Sequence, residues 1–346
     1  MKKLLKHISP LAPDDSGACS VLYEMGGITV ICDAGGCAGN VCGFDEPRWF
    51  EKRSALFSAG LRDMDAILGR DELLIKKLAL ICEQVDARFT AIVGTPVPAV
   101  IATDMRALEK MAEKKTDLPG IALPTDGTRL YDYGEEIAYL KLFERFAVEK
   151  FPVKKGLVGV LGATPLNTGE TGSDRIKKEL SADENEEIVC FGMDSGIDDV
   201  IRASEFEKII VIAPSGLAAA KYLNKKFGIP YEVRGCCIND DVSCKADELV
   251  GKKILIIHHQ FTANAVRVRL KGCEAVCASW FRMIPSLKQE NDIHIKEEQQ
   301  LAELAKDGGF DVIIADSFFK RAMKDFKGQW IDLPHFAVSG RLNKDL

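Results

Sequence analysis

The sequence lacks the features that mark several common protein classes. It has no apolar run long enough to span a membrane. Its 46 basic and 52 acidic residues are interspersed, so no basic block marks a nucleic-acid surface. The basic N-terminal residues 1–7 are not followed by the long apolar segment of a secretory signal. We therefore expect a cytoplasmic protein that binds neither membranes nor nucleic acids.

Two nucleotide-binding signatures are also absent. Residues 162–173 contain three glycines but lack the lysine of the phosphate-binding loop Gly-x-x-x-x-Gly-Lys-Ser/Thr. No glycine spacing matches a dinucleotide-binding fingerprint. We therefore expect that this chain does not hydrolyse ATP, so that any use of ATP falls to a partner.

Cysteine, by contrast, is plentiful, although no disulfide framework is visible. The chain has 11 cysteines among 346 residues, an odd number without regular spacing. In a reducing compartment, cysteines of this kind are more often buried, metal-binding or catalytic than paired. The cysteines are therefore the first place to look for chemistry.

Strand-like and helix-like runs alternate along the chain, which predicts an α/β fold with parallel sheets. The length is too great for one simple core, and the rhythm restarts near residues 152 and 249. We therefore predict three domains, 1–152, 153–248 and 249–346. The predicted strands are Ile28–Ile31, Phe89–Val93, Gly120–Leu123, Leu157–Leu161, Glu187–Phe191, Lys208–Ala213, Lys253–Ile257, Glu274–Ala278, Asp311–Ala315 and Gln329–Leu333.

Helices are predicted where apolar residues recur with helical spacing. The clearest are Glu72–Val85, Gly134–Lys150 and Gly216–Phe227. A further helix is expected to begin near Pro98, because proline suits a first helical turn and an apolar stripe follows at Ile101, Met105 and Leu108.

Three cysteines fall five residues apart on a glycine-rich turn after the strand Ile28–Ile31. Glycines let a large ligand approach the backbone, and thiolates at such a turn can hold an iron–sulfur cluster. For Cys37 and Cys42 we favour a role as cluster ligands over that of small buried residues. For Cys32 the two alternatives are balanced. Cys19, thirteen residues upstream, either joins these ligands or packs in the core.

The cysteines elsewhere are assigned to structure. Cys82 and Cys190 lie on apolar faces and are predicted to be core residues. Cys236, Cys237 and Cys244 follow a strand in a polar loop, where a structural role is favoured over metal binding.

Polar side chains follow predicted strands in the second and third domains, and open parallel sheets bind ligands beyond the carboxyl ends of their strands. Thr164, Ser215 and Asp316 are therefore candidate binding residues. The adjacent His258 and His259 could donate a proton or bind metal. The alternative is that one histidine packs in the core while the other caps the following helix.

Several segments, in their order along the chain, resemble the nitrogenase component 1 superfamily. Residues 89–105 resemble the signature in which a strand ends in Thr-Cys and a helix follows with Ile-Gly-Asp-Asp. The pair Gly36-Cys37 resembles that family's Gly-Cys at a cluster-binding turn. Residues 157–162 and 208–230 are similar to its second domain, and residues 249–257 to the strand that opens its third.

The resemblance implies three Rossmann-like domains in a paired assembly, as a homodimer or as a heterodimer with a related chain. It also implies a 4Fe-4S cluster at the subunit interface, supplied with electrons by a separate ATP-dependent iron–sulfur reductase. A tetrapyrrole or another metallocofactor would lie in the cleft between domains. In length the chain is closest to the nickel tetrapyrrole reductase of this family. Because few cluster ligands match, we expect no eight-iron P-cluster, and because the chain lacks the long insertions of the nitrogenase subunits, we expect no iron–molybdenum cofactor.

The chain departs from the family at its cluster cysteines, of which only Cys37 has a clean match. Pro96 stands at the position of the Thr-Cys cysteine, and the first cysteine position falls near Asp14. Some tetrapyrrole-reducing relatives use an aspartate as a cluster ligand, so Asp14 or Asp15 is a candidate substitute. Cys37 and Cys42 from each of two chains would also complete four ligands.

We interpret the sequence as the catalytic component of a nitrogenase-like oxidoreductase, with His258 as the candidate proton donor to the substrate. Two alternatives stay open. One is a scaffold or carrier for metallocofactor assembly, which would bind the same cluster without turnover. The other is a ligand-binding module that has lost the cluster, which the absence of cysteine at Pro96 favours.

Overall fold

The computed structural model describes residues 5–181, 185–236 and 246–343. Its strands form three separate sheets, and all strand pairings within these sheets are parallel. This confirms the predicted α/β class with parallel sheets. Within the described ranges, every helix is too short or too polar to cross a bilayer.

The first sheet has the strand order β2-β1-β3-β4. Its strands are β1 Ile28–Ile31, β2 Ala55–Ser58, β3 Thr90–Val93 and β4 Gly120–Leu123. The helices of this part of the chain are α1 Asp14–Leu22, α2 Gly36–Asn40, α3 Asp63–Leu68, α4 Asp71–Cys82, α5 Pro96–Val100, α6 Met105–Thr116 and α7 Tyr131–Phe146.

The second sheet has the order β6-β5-β7-β8, which repeats the topology of the first. Its strands are β5 Lys154–Leu161, β6 Glu187–Cys190, β7 Phe206–Val211 and β8 Tyr231–Val233. The accompanying helices are α8 Pro165–Thr168, α9 Asp174–Leu180, α10 Ile197–Ile201 and α11 Leu217–Phe227.

The third sheet has five strands in the order β11-β10-β9-β12-β13. They are β9 Lys253–Ile257, β10 Glu274–Ser279, β11 Ile293–His294, β12 Val312–Ala315 and β13 Gln329–Asp332. The helices are α12 Gln260–Arg269, α13 Glu298–Asp307 and α14 Phe336–Ser339.

Each sheet reverses its direction of winding beside its first strand, and this switch is where open parallel sheets bind ligands. The switches lie between β1 and β3, between β5 and β7, and between β9 and β12. Cys32 follows β1, Thr164 and Ser215 follow β5 and β7, and His258 and Asp316 follow β9 and β12. The topology therefore brings candidate residues of all three regions to equivalent edges.

Every predicted strand is present, with ends shifted by at most three residues. The strands for which no bounds were predicted from the sequence are β2, β8 and β11. Each of these has four residues or fewer and lies at a sheet edge. Such strands are hard to recognise because they bury too little surface to need a continuous apolar run.

The prediction of one continuous helix from near Pro98 is wrong. The chain forms α5, breaks at Ala102 with φ 56°, and starts again at α6. The carboxylate of Asp104 caps α6, since it accepts the backbone N–H groups of Arg106 and Ala107 at 3.0 Å each. A capping aspartate inside an apolar stripe is a start signal, and it outweighs the periodicity on either side.

Helices α1 and α7 cross in direct backbone contact. A Cβ on Gly17 would lie 1.9 Å from the carbonyl oxygen of Tyr131, and one on Gly134 would lie 1.7 Å from that of Asp14. Any side chain at either glycine would therefore separate the helices. This crossing fixes the first turn of α1, which carries Asp14 and Asp15, against the start of α7.

The three sheets occupy residues 28–123, 154–233 and 253–332. The domain boundaries at residues 152 and 248 stay predictions. Among the cysteines assigned to structure, Cys190 and Cys236 are buried and Cys82 is half-buried. The other two of that group, at positions 237 and 244, lie outside the described residues.

Candidate functional site

The cysteine turn, residues 32–45, joins the end of β1 to α2 and to a π-helical turn at Val41–Asp45. Gly35 lies in the left-handed region at φ 113° and starts α2. Cys37 in α2 and Cys42 in the following turn are both half-buried. They therefore lie on consecutive turns of one helical segment, and π-helical turns are frequent at functional sites.

The cysteine turn is anchored on one side and open on the other. Asp33 anchors it, because its carboxylate accepts the backbone N–H of Ala38 at 2.8 Å and the hydroxyl of Ser58 at 2.5 Å. At each of the four glycines of this turn, Gly35, Gly36, Gly39 and Gly43, an added Cβ would meet no heavy atom within 4 Å. A bulky group can therefore approach the backbone of this turn.

Two polar groups near the Cys37 thiol affect its pKa. The carboxylate of Asp15 raises this pKa, and the hydroxyl of Thr95 lowers it. Asp15 is 2% exposed, and its Oδ1 has no hydrogen-bond partner among the described residues. An unsatisfied buried carboxylate oxygen is costly. The site thus holds an unused acceptor beside a thiol.

The surroundings of both thiols are acidic. Burial, with the charges of Asp15 and Asp33, raises the pKa of Cys37 to about 11. Burial, with the charges of Glu46 and Asp33, also raises the pKa of Cys42. Burial, more than any neighbouring charge, raises the pKa of Asp15 to about 6. Both thiols are therefore protonated at neutral pH, and only a strong cation such as a metal would convert them to thiolates.

The three positions that the family resemblance assigns to cluster ligands lie close together. Asp14, which is buried, accepts the backbone N–H of Gly127 at 2.7 Å through its Oδ1. A Cβ on Gly127 would lie 2.6 Å from the ring of Pro96. Thr95, the residue before Pro96, lies near the Cys37 thiol and lowers its pKa. The loop at Gly127 therefore connects the Asp14 and Pro96 positions, next to Cys37.

The two candidate aspartates differ in what their oxygens do. Asp14 uses both, since they accept the backbone N–H groups of Asp126 at 3.2 Å and Gly127 at 2.7 Å. Asp15 keeps one oxygen unpaired next to Cys37. The geometry therefore gives Asp14 a structural task and leaves Asp15 available to a ligand.

Cys19 and Cys32 are both buried, but in different parts of the core. Cys19, in α1, belongs to the apolar cluster against which Cys37 and Cys42 pack, and burial raises its pKa well above the usual range. Cys32, at the end of β1, packs with Leu74 of α4, and burial raises its pKa to about 11. The structure thus brings Cys19, and not Cys32, to the inner side of the Cys37–Cys42 pair.

A buried arginine clamps the segment that follows the cysteine turn. Arg48 is fully buried and donates to Glu46 at 2.6 and 2.7 Å and to Glu24 at 2.9 Å. It also donates to the carbonyl of Gly192, beyond β6, at 2.6 Å. The segment after Cys42 is therefore held against both α1 and the second sheet.

Large apolar side chains are exposed on the segments that carry Cys42 and Pro96. Phe44 and Phe50 are 74% and 76% exposed, and Val100, at the end of α5, is 84% exposed. Contiguous patches of such side chains mark interaction surfaces. These three side chains, which we call the rim of the cysteine turn, are therefore candidates for a contact surface.

The carboxyl ends of the second sheet, in contrast, are closed by a residue of α7. Glu135 is fully buried and accepts the hydroxyls of Thr164 at 2.5 Å and Ser215 at 2.6 Å. It also accepts the side-chain amide of Asn167 at 2.7 Å. Burial raises the pKa of Glu135 to about 7, although these hydrogen bonds lower it. The predicted binding residues Thr164 and Ser215 are thus already hydrogen-bonded across the switch.

Three of the five histidines meet at the carboxyl ends of the third sheet, namely His258, His259 and His335. His258 Nε2 lies 3.3 Å from the Pro334 carbonyl, so that nitrogen carries the proton. Tyr131 donates its hydroxyl proton to Asn167 and can only accept from His335 Nε2 at 3.3 Å. The Nδ1 atoms of His258 and His335 are therefore unprotonated. Both are buried, and neither has a hydrogen-bond partner among the described residues.

Burial keeps the histidines neutral, because it lowers the pKa of His258 to about 3 and that of His335 well below its usual value. The rings of these two residues lie 4.3 Å apart. His259 caps α12, since its Nδ1 accepts the backbone N–H of Thr262 at 3.4 Å. One histidine of the predicted pair thus caps a helix, while His258 keeps an unused nitrogen.

Asp316 is saturated by its own surroundings. Its oxygens accept the backbone N–H of His335 at 2.9 Å, the hydroxyl of Ser339 at 2.5 Å and the guanidinium of Arg341 at 3.0 Å. The residue therefore organises the chain that follows β13 and positions His335 beside His258.

No cluster of three or more histidine, cysteine, aspartate or glutamate residues within the described ranges is arranged to hold a metal ion. The family model for nitrogenase component 1 type oxidoreductases matches residues 16–235. The chain belongs to the nitrogenase component 1 type oxidoreductases. No curated protein matches this sequence.

Two solved structures show the same fold. The chain resembles nitrogenase Cp1 at pH 6.5 with a TM-score of 0.74 and 10% identity, over 96% of this chain and 87% of that one. It resembles nitrogenase Cp1 at pH 5 with a TM-score of 0.72 and 14% identity, over 99% and 86% of the two chains. The nitrogenase component 1 match includes the cysteine turn, Thr164 and Ser215 but ends before His258 and Asp316.

Four residues near the cysteine turn or at the carboxyl ends of the second and third sheets were not predicted from the sequence. They are Arg48, Tyr131, Glu135 and His335. His335 follows β13, so the rule about the carboxyl ends of strands would have found it. Glu135 lies in a helix, where a charged residue is usually assigned to the solvent face. The nearby Glu46 does not distinguish Arg48 from a surface arginine, because the burial of Arg48 comes with the partners Glu24 and Gly192, which are distant in sequence.

Proposed function

We propose that the chain is the catalytic component of a nitrogenase-like reductase. In this proposal Cys37 and Cys42 hold an iron–sulfur cluster of the 4Fe-4S type at an interface with a second subunit. A separate ATP-dependent iron–sulfur reductase supplies low-potential electrons. They pass to a ligand, such as a tetrapyrrole or another metallocofactor, at the carboxyl ends of the second and third sheets. The unpaired Oδ1 of Asp15 beside Cys37 is the observation that carries the proposal.

The residues of the cysteine turn fit part of a cluster site. Two thiols lie on consecutive helical turns, the glycines leave open space, and Asp15 offers an unused oxygen. A 4Fe-4S cluster takes four ligands. These three candidates fall short of that number, which supports a site completed by another subunit. Cys19 stays a reserve ligand on the inner side, and Cys32 a more distant one.

A bound cluster would supply one-electron transfer, and its potential depends on the charges around it. Asp15, Asp33 and Glu46 place negative charge near the two thiols. Negative charge disfavours the addition of an electron and lowers the reduction potential. The electrostatics of this turn therefore support a low-potential role over a high-potential one.

The exposed rim supports pairing with a second subunit. Phe44 lies two residues after Cys42, and Val100 ends the helix that begins at Pro96. Burying these side chains against another chain would remove water from the cysteine turn. Arg48 keeps the segment between Cys42 and Phe50 rigid, so that the rim is presented in one conformation.

On the ligand side, the bare Nδ1 atoms of His258 and His335 are the unused polar atoms that support binding. Neutral imidazole nitrogens coordinate transition metals well. Because His258 is neutral, its Nδ1 lone pair would first bind a metal or accept a proton, and only then could His258 donate a proton to the substrate. Thr164, Ser215 and Asp316 would reach a ligand only if their present hydrogen bonds were exchanged.

The cluster is tested by anaerobic purification, with iron and sulfide analysis and the absorbance near 400 nm. Cys37→Ala and Cys42→Ala should each abolish bound iron. Cys273→Ala is the matched control, since this half-buried cysteine of the third sheet region donates to the Leu249 carbonyl and should leave iron unchanged. A cluster that survives in both cysteine variants would overturn the ligand assignment. A colourless, iron-free wild-type protein would leave the ligand-binding module as the remaining interpretation.

One observation favours a second candidate function. Proline at position 96 removes a cysteine that the family resemblance places at the cluster, which favours a ligand-binding module that has lost the cluster. The candidate functions differ in bound iron and in turnover. Reduction of a tetrapyrrole in the presence of ATP and an iron-protein type reductase would establish the enzyme. Binding of the cofactor without its reduction would establish the scaffold if iron is bound, and the ligand-binding module if it is not.

A further inference from the structure

A groove of about 550 Å³ lies at the outer edge of the first sheet, and it adjoins the cysteine turn at Ser58, whose hydroxyl donates to Asp33. Its floor is formed by Val30 and Phe57 of β1 and β2, and α3 contributes Met64 at one end. Because β2 is an edge strand, no further strand covers this side of α4. The volume is within the range of small-molecule sites.

One face of α4 forms the wall of the groove. The residues that line it recur at intervals of three and four positions and are Arg70, Leu73, Leu74, Lys77, Leu78 and Ile81. The same helix face therefore carries an apolar stripe, with Arg70 just before its start and Lys77 in its middle. Arg70 and Lys77 are two helical turns apart, about 10 Å along the axis.

The charge of the groove is positive. Its lining contains the cations Arg62, Arg70 and Lys77 and the single carboxylate Asp65. Asp65 pairs with Arg70 at 3.5 Å, and the Lys77 ammonium donates only to the carbonyl of Ala59, at 3.2 Å. Arg62 and Lys77 thus remain without a carboxylate partner in the groove.

We infer that this groove binds a small organic anion with an extended apolar body, such as a medium-chain acyl carboxylate or alkyl phosphate. The apolar body lies along the accessible side chains of Phe57, Leu73 and Ile81, and the anionic head lies between Arg62 and Lys77. Charge complementarity selects the anion, and these accessible apolar side chains select the chain. The inference does not depend on a cluster at Cys37.

Isothermal titration calorimetry with the full chain tests this inference, using decanoate, decyl phosphate and decanol below their micellar concentrations. Decanoate and decyl phosphate should bind at least about tenfold more tightly than decanol. Whichever anion binds more tightly assigns the head group. Equal affinity for decanol, or no binding of either anion, would overturn the inference.

Three variants locate the site. Arg62→Gln combined with Lys77→Gln should weaken both anions by about tenfold or more and leave decanol unchanged. Leu73→Glu, at a groove position already 37% exposed, should abolish anion binding without unfolding the chain. Lys76→Gln combined with Lys110→Gln removes the same charge from exposed positions outside the groove. Equal loss in this control would show a nonspecific charge effect and overturn the assignment.

Discussion

The cysteine turn differs from the strand-end network, by which we mean Glu135, His258 and their partners at the carboxyl ends of the second and third sheets. The two regions differ in how far their polar groups are exposed. At the cysteine turn, the thiols of Cys37 and Cys42 are half-exposed, and the surrounding glycines leave open space. In the strand-end network, Glu135 and His258 are buried and packed among hydrogen bonds and aromatic rings. The cysteine turn is thus open to solvent, whereas the strand-end network is closed to it.

This difference separates two requirements of the proposed reductase. The cysteine turn needs association with another subunit, because its own ligands are too few. The strand-end network needs a rearrangement within one chain, because its hydroxyls are already bonded to Glu135. Unpaired atoms occur in both, at Asp15 Oδ1 and at the Nδ1 atoms of His258 and His335. Assembly and ligand binding can therefore be disturbed independently.

The largest expected effect is on assembly. Phe44→Asp should weaken association with a second copy, because each buried phenylalanine contributes about 1.5–3 kcal/mol and a twofold interface contains two. The combined loss of about 3–6 kcal/mol corresponds to a roughly 10²- to 10⁴-fold rise in the dimer Kd. Sedimentation velocity measures the change.

Val268→Asp is the control for Phe44→Asp, because Val268 is 76% exposed on α12 and lies far along the chain from the cysteine turn. It should leave the dimer intact. An unchanged dimer in the Phe44 variant would show that the rim of the cysteine turn is not the interface. A monomeric wild-type chain would exclude pairing with a second copy.

The second effect concerns the rigidity of the cysteine turn. Arg48→Met should lower the free energy of unfolding by about 3–5 kcal/mol, because the buried carboxylate of Glu46 would lose its partner. Lys52→Met acts at the exposed end of the same charge network and should cost less than about 1 kcal/mol. Urea titration measures both. Equal losses would mean that the clamp is not anchored at Glu46.

The third effect tests the closed region through pH. The raised pKa of Glu135, about 7 against an ordinary 4.5, means that the folded state holds a proton which the unfolded state loses first. Relative to Glu135→Gln, the wild type should lose about 1.4 kcal/mol per pH unit between pH 4.5 and 7 and then level off. Urea midpoints of the two proteins across this range measure the difference. Parallel curves would show that Glu135 titrates normally.

These two regions also show what could be predicted from the sequence. The parallel strands and the cysteine turn are local patterns, so the predicted strands and the family resemblance at Gly36-Cys37 could be read directly. The break at Ala102 was missed because apolar periodicity continues across it. Glu135 was missed because its burial arises from a contact between α7 and the second sheet. Its partners Thr164 and Ser215 were predicted to be free for a ligand, and only the tertiary structure shows what they bond.

The smallest effect concerns Asp15, the feature that distinguishes the cysteine turn from an ordinary loop. Burial and the Asp15 charge both raise the pKa of Cys37, and burial is the larger cause. Asp15→Asn removes only the charge. At pH 8, iodoacetamide should therefore label Cys37 of the metal-free Asp15→Asn variant roughly two- to fivefold faster than Cys37 of the metal-free wild type. Mass spectrometry of the labelled peptide measures the rate.

Asp14→Asn is the matched control for Asp15→Asn. The Asp14 carboxylate accepts the N–H groups of Asp126 and Gly127, and its charge is not among the causes that raise the pKa of Cys37. It should change stability and leave the labelling rate of Cys37 unaltered. Equal rates in all three proteins would falsify an electrostatic effect of Asp15 on this thiol. Asp15 would then not act on Cys37, and the argument that it is a ligand beside Cys37 would be lost.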